Sequence, residues 1–136
     1  MTDYNDCIAF LLAKAYQKAH ANVKKRLAAY GLTPVQNLVL EALRYEEGQS
    51  AGDLGNKLVL DSATLSGVLD RMSEKGWIVK QTDTEDKRML RIYLSDRAKG
   101  FQPDLARERE EANEEILREL SIEERLLLKR LLKDLR

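Results

Sequence analysis

Three residues suited to binding stand together in Asp86-Lys87-Arg88, just before a segment in which apolar and polar residues alternate. Leu90 and Ile92 fall on one side of that alternation, and a period of two predicts a half-buried strand. An exposed loop beside such a strand can present its cations to phosphate, or insert the arginine into a narrow, electronegative groove of nucleic acid. The alternative is a solvated turn in which Asp86 and Arg88 pair with each other at little gain in stability.

A second group of small, hydroxyl-bearing residues begins the helix predicted over residues 61–75. Small side chains let a helix come close to the base edges of DNA, and hydroxyls can donate or accept hydrogen bonds there. Ser50, at the start of the preceding helix, can offer its hydroxyl and free N–H groups to a phosphate. Arg71, two turns further along, is better placed for backbone phosphate than for bases. The residues predicted to face the bases are Ser62, Ala63, Thr64, Ser66 and Gly67.

These two groups belong to a predicted helix-turn-helix that two strands follow directly. Residues 50–75 contain two short helices joined by a tight turn, and such a unit places the start of its second helix in the major groove. Taken alone, an ordinary helical hairpin explains the helix pair equally well. The strands "WIVKQT" and "MLRIYL" change the balance, because a helix-turn-helix followed by a two-stranded wing is a winged helix.

Long amphipathic helices flank this unit at both ends of the chain. Apolar residues recur at three and four positions from about Asn5 to Tyr30, and a second helical region runs from Ser95 to about Leu120. Pro103 should kink that region or mark its first turn. The apolar stripes find no partner within a domain of this size, so two copies are expected to pack them together as a homodimer. The predicted fold class is mainly α with a small β-wing, a winged helix-turn-helix plus a helical dimerisation region (α+β).

Capping patterns locate two further helix starts. Thr33, Pro34 and Gln36 form a capping box with proline at the first helical position, and Ser121 with Glu124 forms another before a leucine-rich last helix. The residues expected to face the core from the helix that begins near Pro34 are Val35, Leu38, Val39, Ala42 and Leu43. From the helix predicted over residues 61–75, they are Leu65, Val68, Leu69 and Met72.

The composition agrees with a DNA-binding role only in its distribution. The 136 residues include 23 basic and 23 acidic ones, so the formal charge is zero, whereas a nucleic-acid binder is expected to show a basic footprint. From Lys75 to Gly100, however, seven basic residues face four acidic ones. No apolar run reaches the roughly 18 residues of a membrane span. A lone cysteine, no membrane segment and no secretion signal predict a cytoplasmic protein.

An enzyme is not expected. The sequence contains no glycine-rich phosphate loop and no supported pairing of a nucleophile with a base, and the carboxylates on amphipathic helices are typical of solvated faces. No catalytic residue, cofactor or metal site is predicted. Zinc would need a cluster of ligands, and the chain offers one His20 and one Cys7, thirteen positions apart.

Three segments in order and spacing resemble the MarR family of bacterial winged-helix regulators, over nearly the whole chain. They are "LTPVQNLVLEAL", "SAGDLGNKLVLDSATLSGVLDRMSEKGWIVKQ" and "DTEDKRMLRIYLS". The most specific element is a wing motif Asp-x-Arg before an alternating strand, matched here at Asp86 and Arg88. The sequence departs from the family pattern at Met89, where a small residue is usual, and at Ser95, where threonine is usual.

The resemblance implies that Arg88 inserts into the minor groove and that Asp86 helps to hold the wing. It also implies one domain over residues 1–136, with the winged helix over 31–100 and dimerisation helices over 1–30 and 101–136. We therefore predict a homodimeric, ligand-responsive repressor that reads double-stranded DNA. Two recognition helices related by a two-fold axis should read a pseudo-palindromic operator whose half-sites lie about 10 bp apart. A winged helix that binds a protein instead of DNA is the main alternative.

A small effector is the expected switch. The resemblance implies aromatic, phenolic or acyl compounds bound between the dimerisation helices and the winged helix. The residues that could line such a cleft are Tyr16, His20, Asn37 and Phe101.

Redox sensing through Cys7 is the second alternative. The segment "FLL" at residues 10–12 is similar to the peroxide-sensing branch of the family, yet in that register the sensing position falls on Ala9 and the expected tyrosine on Val23. Asp3 and Asp6 also oppose the lowered thiol pKa that reactivity requires.

Overall fold

The computed structural model describes residues 3–135. In it, a side chain caps the N-terminus of five α-helices. Thr33 Oγ1 accepts the N–H of Gln36 at 3.2 Å, and Gln36 Oε1 accepts the N–H of Thr33 at 3.1 Å. This reciprocal pair and the one at Ser121 confirm both predicted capping boxes. The elements in chain order are a 3-10 turn Tyr4–Asp6, α1 Ile8–Ala28, α2 Pro34–Tyr45, β1 Gln49–Ser50, α3 Ala51–Leu58, α4 Ser62–Glu74, β2 Ile78–Thr82, β3 Leu90–Leu94, α5 Asp96–Ile116 and α6 Ile122–Asp134.

Two predicted helix boundaries are wrong. α1 begins at Ile8 rather than Asn5, because Asp3 caps a separate 3-10 turn before it. α5 ends at Ile116 rather than near Leu120. Pro103 lies inside α5, whose first turn begins at Asp96, so the proline does not mark that first turn.

The sheet is antiparallel, with β3 between β1 and β2. Gln49 pairs with Ile92 on one side, and Lys80 pairs with Ile92 on the other. The sequence did not predict β1, because two residues are too few to show an alternation. β1 nevertheless places the turn after α2 against the wing strand β3.

The core lies where α2, α3, α4, the sheet and the start of α5 meet. The face of α4 that was expected to be buried is confirmed, since Leu65, Val68, Leu69 and Met72 are all buried. On α2 the prediction for Leu38 is wrong: its side chain is 51% exposed, and Leu40 is buried instead. The buried face of α2 follows positions 36, 39, 40 and 43, which is the 3.6-residue period.

The outer helices keep much of their apolar surface open. α1 buries Leu27, while no residue of α6 is buried, although the structure describes that helix in full. Ion pairs from Arg26 to Glu111 at 3.1 Å and to Glu115 at 2.5 Å hold α1 against α5. Met1, Thr2 and Arg136 of the predicted dimerisation part lie outside the described residues. None of the helices described is long and apolar enough to cross a membrane.

Candidate nucleic-acid interface

The start of α4 presents its small residues to solvent. Asp61 caps the helix, accepting the N–H of Thr64 at 2.8 Å and the hydroxyl of Thr64 at 2.9 Å. The N–H of Thr64, and then its hydroxyl, hold the pKa of the Asp61 carboxyl below its usual value. The residues that remain exposed at this end are Ser62, Ala63, Thr64 and Ser66. Because the opposite face of α4 is buried in the core, these side chains can face only outward.

The guanidinium of Arg71 lies one turn closer to the start of α4 than its backbone does. It folds back over Gly67, where a Cβ atom would lie 3.4 Å from Nη1. The predicted base-facing residue Gly67 therefore leaves room for the arginine beside the exposed start of the helix. An ion pair between Asp70 and Lys80 of β2 offsets a negative charge on the same helix.

Ser50 and the wing meet at one cleft. The hydroxyl of Ser50 accepts the N–H of Asp53 at 3.1 Å, so it caps α3 and is largely buried. The cleft encloses about 450 Å³ and is lined by Ser50, Ala51, Gly52, Asp86, Arg88, Met89 and Leu90. The structure thus brings the predicted phosphate-binding end of α3 together with the predicted groove-binding arginine.

Arg88 projects from the wing loop, by which we mean residues 83–89. Its side chain is 92% exposed. Its backbone N–H and its Nε both donate to Asp86 Oδ1, at 3.0 and 3.2 Å. Asp86 therefore holds the loop at Arg88, as the resemblance implies, while the guanidinium remains free to reach outward. Lys87 is exposed beside it.

Two residues of the wing, Asp83 and Arg91, were not predicted from the sequence to belong to the site. Arg91 Nε donates to Asp83 Oδ2 at 2.7 Å, and Arg91 Nη1 donates to the carbonyl of Gly48 at 3.0 Å. The N–H of Glu85 and the Arg91 guanidinium hold the pKa of the Asp83 carboxyl below its usual value. The available signal was an arginine on the polar side of an alternating strand, with acidic residues at the start of the preceding loop.

Three of the four predicted effector residues line one cleft. Tyr16 and His20 stack on α1 with ring centroids 5.3 Å apart, and Asn37 faces them from α2. The cleft encloses about 510 Å³ and has mostly apolar walls, with Arg109 of α5 at its edge. Glu41 pairs with that arginine at 2.5 Å.

Phe101 does not join this cleft. Its ring lies 5.6 Å from that of Trp77 and 5.9 Å from that of Tyr30. Position 101 is near the beginning of α5, which packs across the end of the sheet, so the ring fills the core there.

Cys7 is exposed at the position that precedes α1, and its side chain makes no capping hydrogen bond. Among residues 3–135, no group of three or more His, Cys, Asp or Glu side chains is arranged to hold a metal ion.

A winged helix with small hydroxyls and a projecting arginine on one surface defines a class of helix-turn-helix regulators. The family model for the MarR family matches residues 32–90. A solved structure of a probable transcriptional regulator from Pseudomonas aeruginosa is 30% identical, with a TM-score of 0.92 over 98% of this chain and 100% of that one. The chain belongs to the MarR family.

Two further similarities bear on the fold and on length. The transcriptional regulator TtmR of Methylorubrum extorquens (strain PA1) is 36% identical over 96 residues, which are 70% of this chain and 48% of TtmR. This chain therefore matches about half of that relative. A mutant MarR from E. coli, solved in complex with operator DNA, shares the fold at 23% identity and a TM-score of 0.89, over 98% of both chains.

Proposed function

We propose that this protein is a homodimeric, cytoplasmic transcriptional repressor that reads a pseudo-palindromic operator in double-stranded DNA. The recognition helix α4 enters the major groove, and the wing loop enters the adjacent minor groove. One observation carries the proposal: two adjoining clefts join the exposed start of α4 to the start of α3, and the start of α3 to the projecting Arg88. Ser62 and Ser66 line the first cleft, Arg88 lines the second, and Gly52 of α3 lines both. The operator complex of the E. coli MarR mutant supports it, because that protein has the same fold.

The outer helices supply the proposed dimer interface, formed by residues 1–30 and 101–136. They expose large apolar side chains to water in the single chain, and burying that surface would contribute about 25 cal/mol per Å². The exposed apolar residues of α1 and α6 include Ile8, Leu11, Leu12, Ile122, Leu126, Leu127, Leu131 and Leu132. A second copy of the chain would cover this surface and relate the two α4 helices by a two-fold axis.

A small aromatic, phenolic or acyl effector is the proposed switch, bound in the cleft of Tyr16, His20 and Asn37. The cleft lies between α1, α2 and α5, so an occupant would touch both the proposed dimerisation helices and the winged helix. Its volume of about 510 Å³ lies in the usual range for small-molecule sites.

Selection of the purified, reduced protein against a random duplex DNA library at near-physiological salt tests the proposal. Enrichment of a two-fold pseudo-palindrome is the expected result, and the enriched site then becomes the ligand for all later binding measurements. A well-folded dimer that enriches no sequence would contradict the proposed operator reading.

A protein-binding winged helix is the second candidate. Zero net charge favours it, as does the scarcity of cations on α4, where Arg71 is the single basic residue and Asp70 is paired with Lys80. Salt dependence separates the two candidates, because a protein that neutralises several phosphates loses affinity for DNA steeply as salt rises. Binding to the enriched duplex that does not weaken between about 50 and roughly 200 mM salt would count against phosphate contacts.

A further inference from the structure

We propose that Asp83 and Arg91 are positioning residues for DNA binding: together they brace the wing loop so that Arg88 points into the groove. This inference rests on the proposed function above. Neither residue was expected to touch DNA, and neither needs to. Their role follows from a continuous chain of hydrogen bonds that begins at the turn after α2 and ends at Arg88.

Asp83 organises the first half of the wing loop. Its side chain is 14% exposed. One carboxylate oxygen accepts the N–H groups of Glu85 at 2.7 Å and Asp86 at 3.3 Å. The N–H of Asp83 donates to the carbonyl of Met89 at 2.9 Å, which closes the loop at its base. Asp83 therefore fixes where Asp86 stands.

Asp86 organises the second half. It accepts the N–H and Nε of Arg88 through one oxygen, and its carbonyl accepts the N–H of Met89 at 3.0 Å. The direction of the Arg88 side chain is thus set by Asp86, whose backbone is in turn held by Asp83. Any loss of order at Asp83 passes to Arg88 through these bonds.

Arg91 connects the loop to the body of the protein. It lies on β3 and reaches Asp83 with Nε and the carbonyl of Gly48 with Nη1. Gly48 is itself fixed, because its N–H donates to the carbonyl of Ile92 at 2.8 Å. Its φ of +76° would strain any side chain there, and a Cβ atom would lie 3.2 Å from the ring of Tyr93. The anchor point is therefore a turn that is itself hydrogen-bonded to the sheet.

A guanidinium holds this position more rigidly than an ammonium would. Its N–H groups form a rigid, planar fork, so the donors to Asp83 and to Gly48 keep fixed directions relative to each other, whereas the three donors of an ammonium rotate on a flexible stem. Arg91→Lys keeps the charge and removes the fork. This variant consequently separates the geometry of the brace from its electrostatics.

The brace and simple electrostatics predict opposite changes in DNA affinity when the charge of Asp83 is removed. A carboxylate near a phosphate backbone opposes binding, so removing it should tighten the complex if charge alone mattered. Asp83→Asn retains one oxygen for the two backbone N–H groups but turns the amide NH2 group, a donor, towards the N–H of Arg91. Glu85→Gln removes the same charge from the same loop, and the Glu85 side chain has no hydrogen bond or ion pair in the part of the chain described.

The experiment measures the affinity of each variant for the duplex that the wild type enriches. We expect Asp83→Asn and Arg91→Lys to weaken binding by roughly 5-fold or more, while Glu85→Gln binds as tightly as the wild type or more tightly. Arg88→Ala in the Asp83→Asn background should cost much less than in the wild type, because Arg88 is already misplaced there. Circular dichroism of each variant checks that the fold is kept.

Three results would overturn the brace. Asp83→Asn could bind as tightly as Glu85→Gln, Arg91→Lys could bind as the wild type does, or the effects of Asp83→Asn and Arg88→Ala could multiply independently. If Asp83→Asn fails to fold, Arg91→Lys with Arg88→Ala decides by the same comparison. Failure of the wild type to enrich any duplex would instead refute the proposed function, so the two failures are distinct.

Discussion

At the scale of single residues, Arg88 combines constraint and freedom. Asp86 fixes its backbone and its Nε, yet 92% of the side chain is exposed. An exposed ion pair of this kind adds little to stability. The arrangement is therefore better explained by what the guanidinium can bind than by what it contributes to folding.

Arg88→Ala should weaken binding to the enriched duplex by about 1–3 kcal/mol, because a side chain in the groove is lost. The free energy of unfolding should change by less than about 0.5 kcal/mol, as is usual for exposed positions. Fluorescence anisotropy of labelled duplex measures the first quantity, and urea titration measures the second. Lys24→Ala, which removes a charge from an exposed position of α1, is the matched control. Equal affinity for Arg88→Ala and the wild type would remove Arg88 from the interface.

At the scale of elements, glycines decide how closely helices can pack. Gly55 of α3 lies against the turn that leads into α4, and a Cβ atom there would lie 3.1 Å from the carbonyl oxygen of Leu60. Gly100 is also inside a helix, but a Cβ atom there meets nothing within 4 Å. The same substitution should therefore have opposite effects at the two positions.

Gly100→Ala should stabilise the protein by about 0.5–1 kcal/mol, since alanine is the better helix former. Gly55→Ala should destabilise it by about 1–3 kcal/mol, because backbone must shift to admit the methyl group. Thermal and urea unfolding followed by circular dichroism measure both. A stabilised Gly55→Ala would mean that α3 can move away from the turn without loss.

Ser95 joins two elements through one hydroxyl. It caps α5 by accepting the N–H of Ala98 at 3.1 Å and donates to the carbonyl of Gly76 at 2.6 Å. Ser95→Ala should lower the free energy of unfolding by about 1–2 kcal/mol, and Ser95→Thr should restore most of it. If the threonine variant is as unstable as the alanine variant, the hydroxyl is not the stabilising group.

Sequence patterns predicted the elements whose signals are local. The Thr33 capping box, the buried face of α4 and the two wing strands all depend on spacings within one segment, and the structure confirms them. β1 was not predicted, because it is too short to show an alternation and its pairing partner Ile92 lies more than forty residues away in the chain. The contact between Arg91 and Gly48 was not predicted for the same reason, since 43 residues separate the two. Asp83 and Arg91 are only eight residues apart, but an acidic residue in a loop and an arginine on a strand do not by themselves show that they pair. Phe101 was predicted to line the effector cleft but packs in the core, because an aromatic residue fits either place.

At the scale of the whole molecule, the single chain leaves α6 without a buried residue. An isolated helix of this length is marginal in water, so packing against another surface must stabilise it. Leu131→Glu should convert a dimer into monomers in sedimentation velocity and reduce the helical circular dichroism signal. A wild type that sediments as a monomer at micromolar concentration would contradict the proposed interface.

Stability should fall in acid. The N–H of Thr64, that of Glu85 and the guanidinium of Arg26 lower the pKa values of Asp61, Asp83 and Glu115, respectively, from the ordinary values of 3.8 for Asp and 4.5 for Glu. A carboxyl whose pKa is lower in the folded state stabilises the fold above its ordinary pKa, and this contribution disappears as pH falls through the lowered value. Urea titrations should show little change while pH stays above these ordinary values and a loss below them. Constant stability across that lower range would show that these contacts do not favour folding.

Trp77, the one tryptophan of the sequence, is 1% exposed between α4, the sheet and α5. The guanidinium of Arg97 lies 4.1 Å from its ring, and Phe101 packs beside it. The protein consequently carries a built-in optical probe of its core. The emission of the Trp77 indole should be blue-shifted, and iodide in solution should not quench it. Any quenching that does occur would measure how often the core around Trp77 opens. Because this ring is buried, labelled DNA or an effector can be titrated while the emission follows the integrity of the fold.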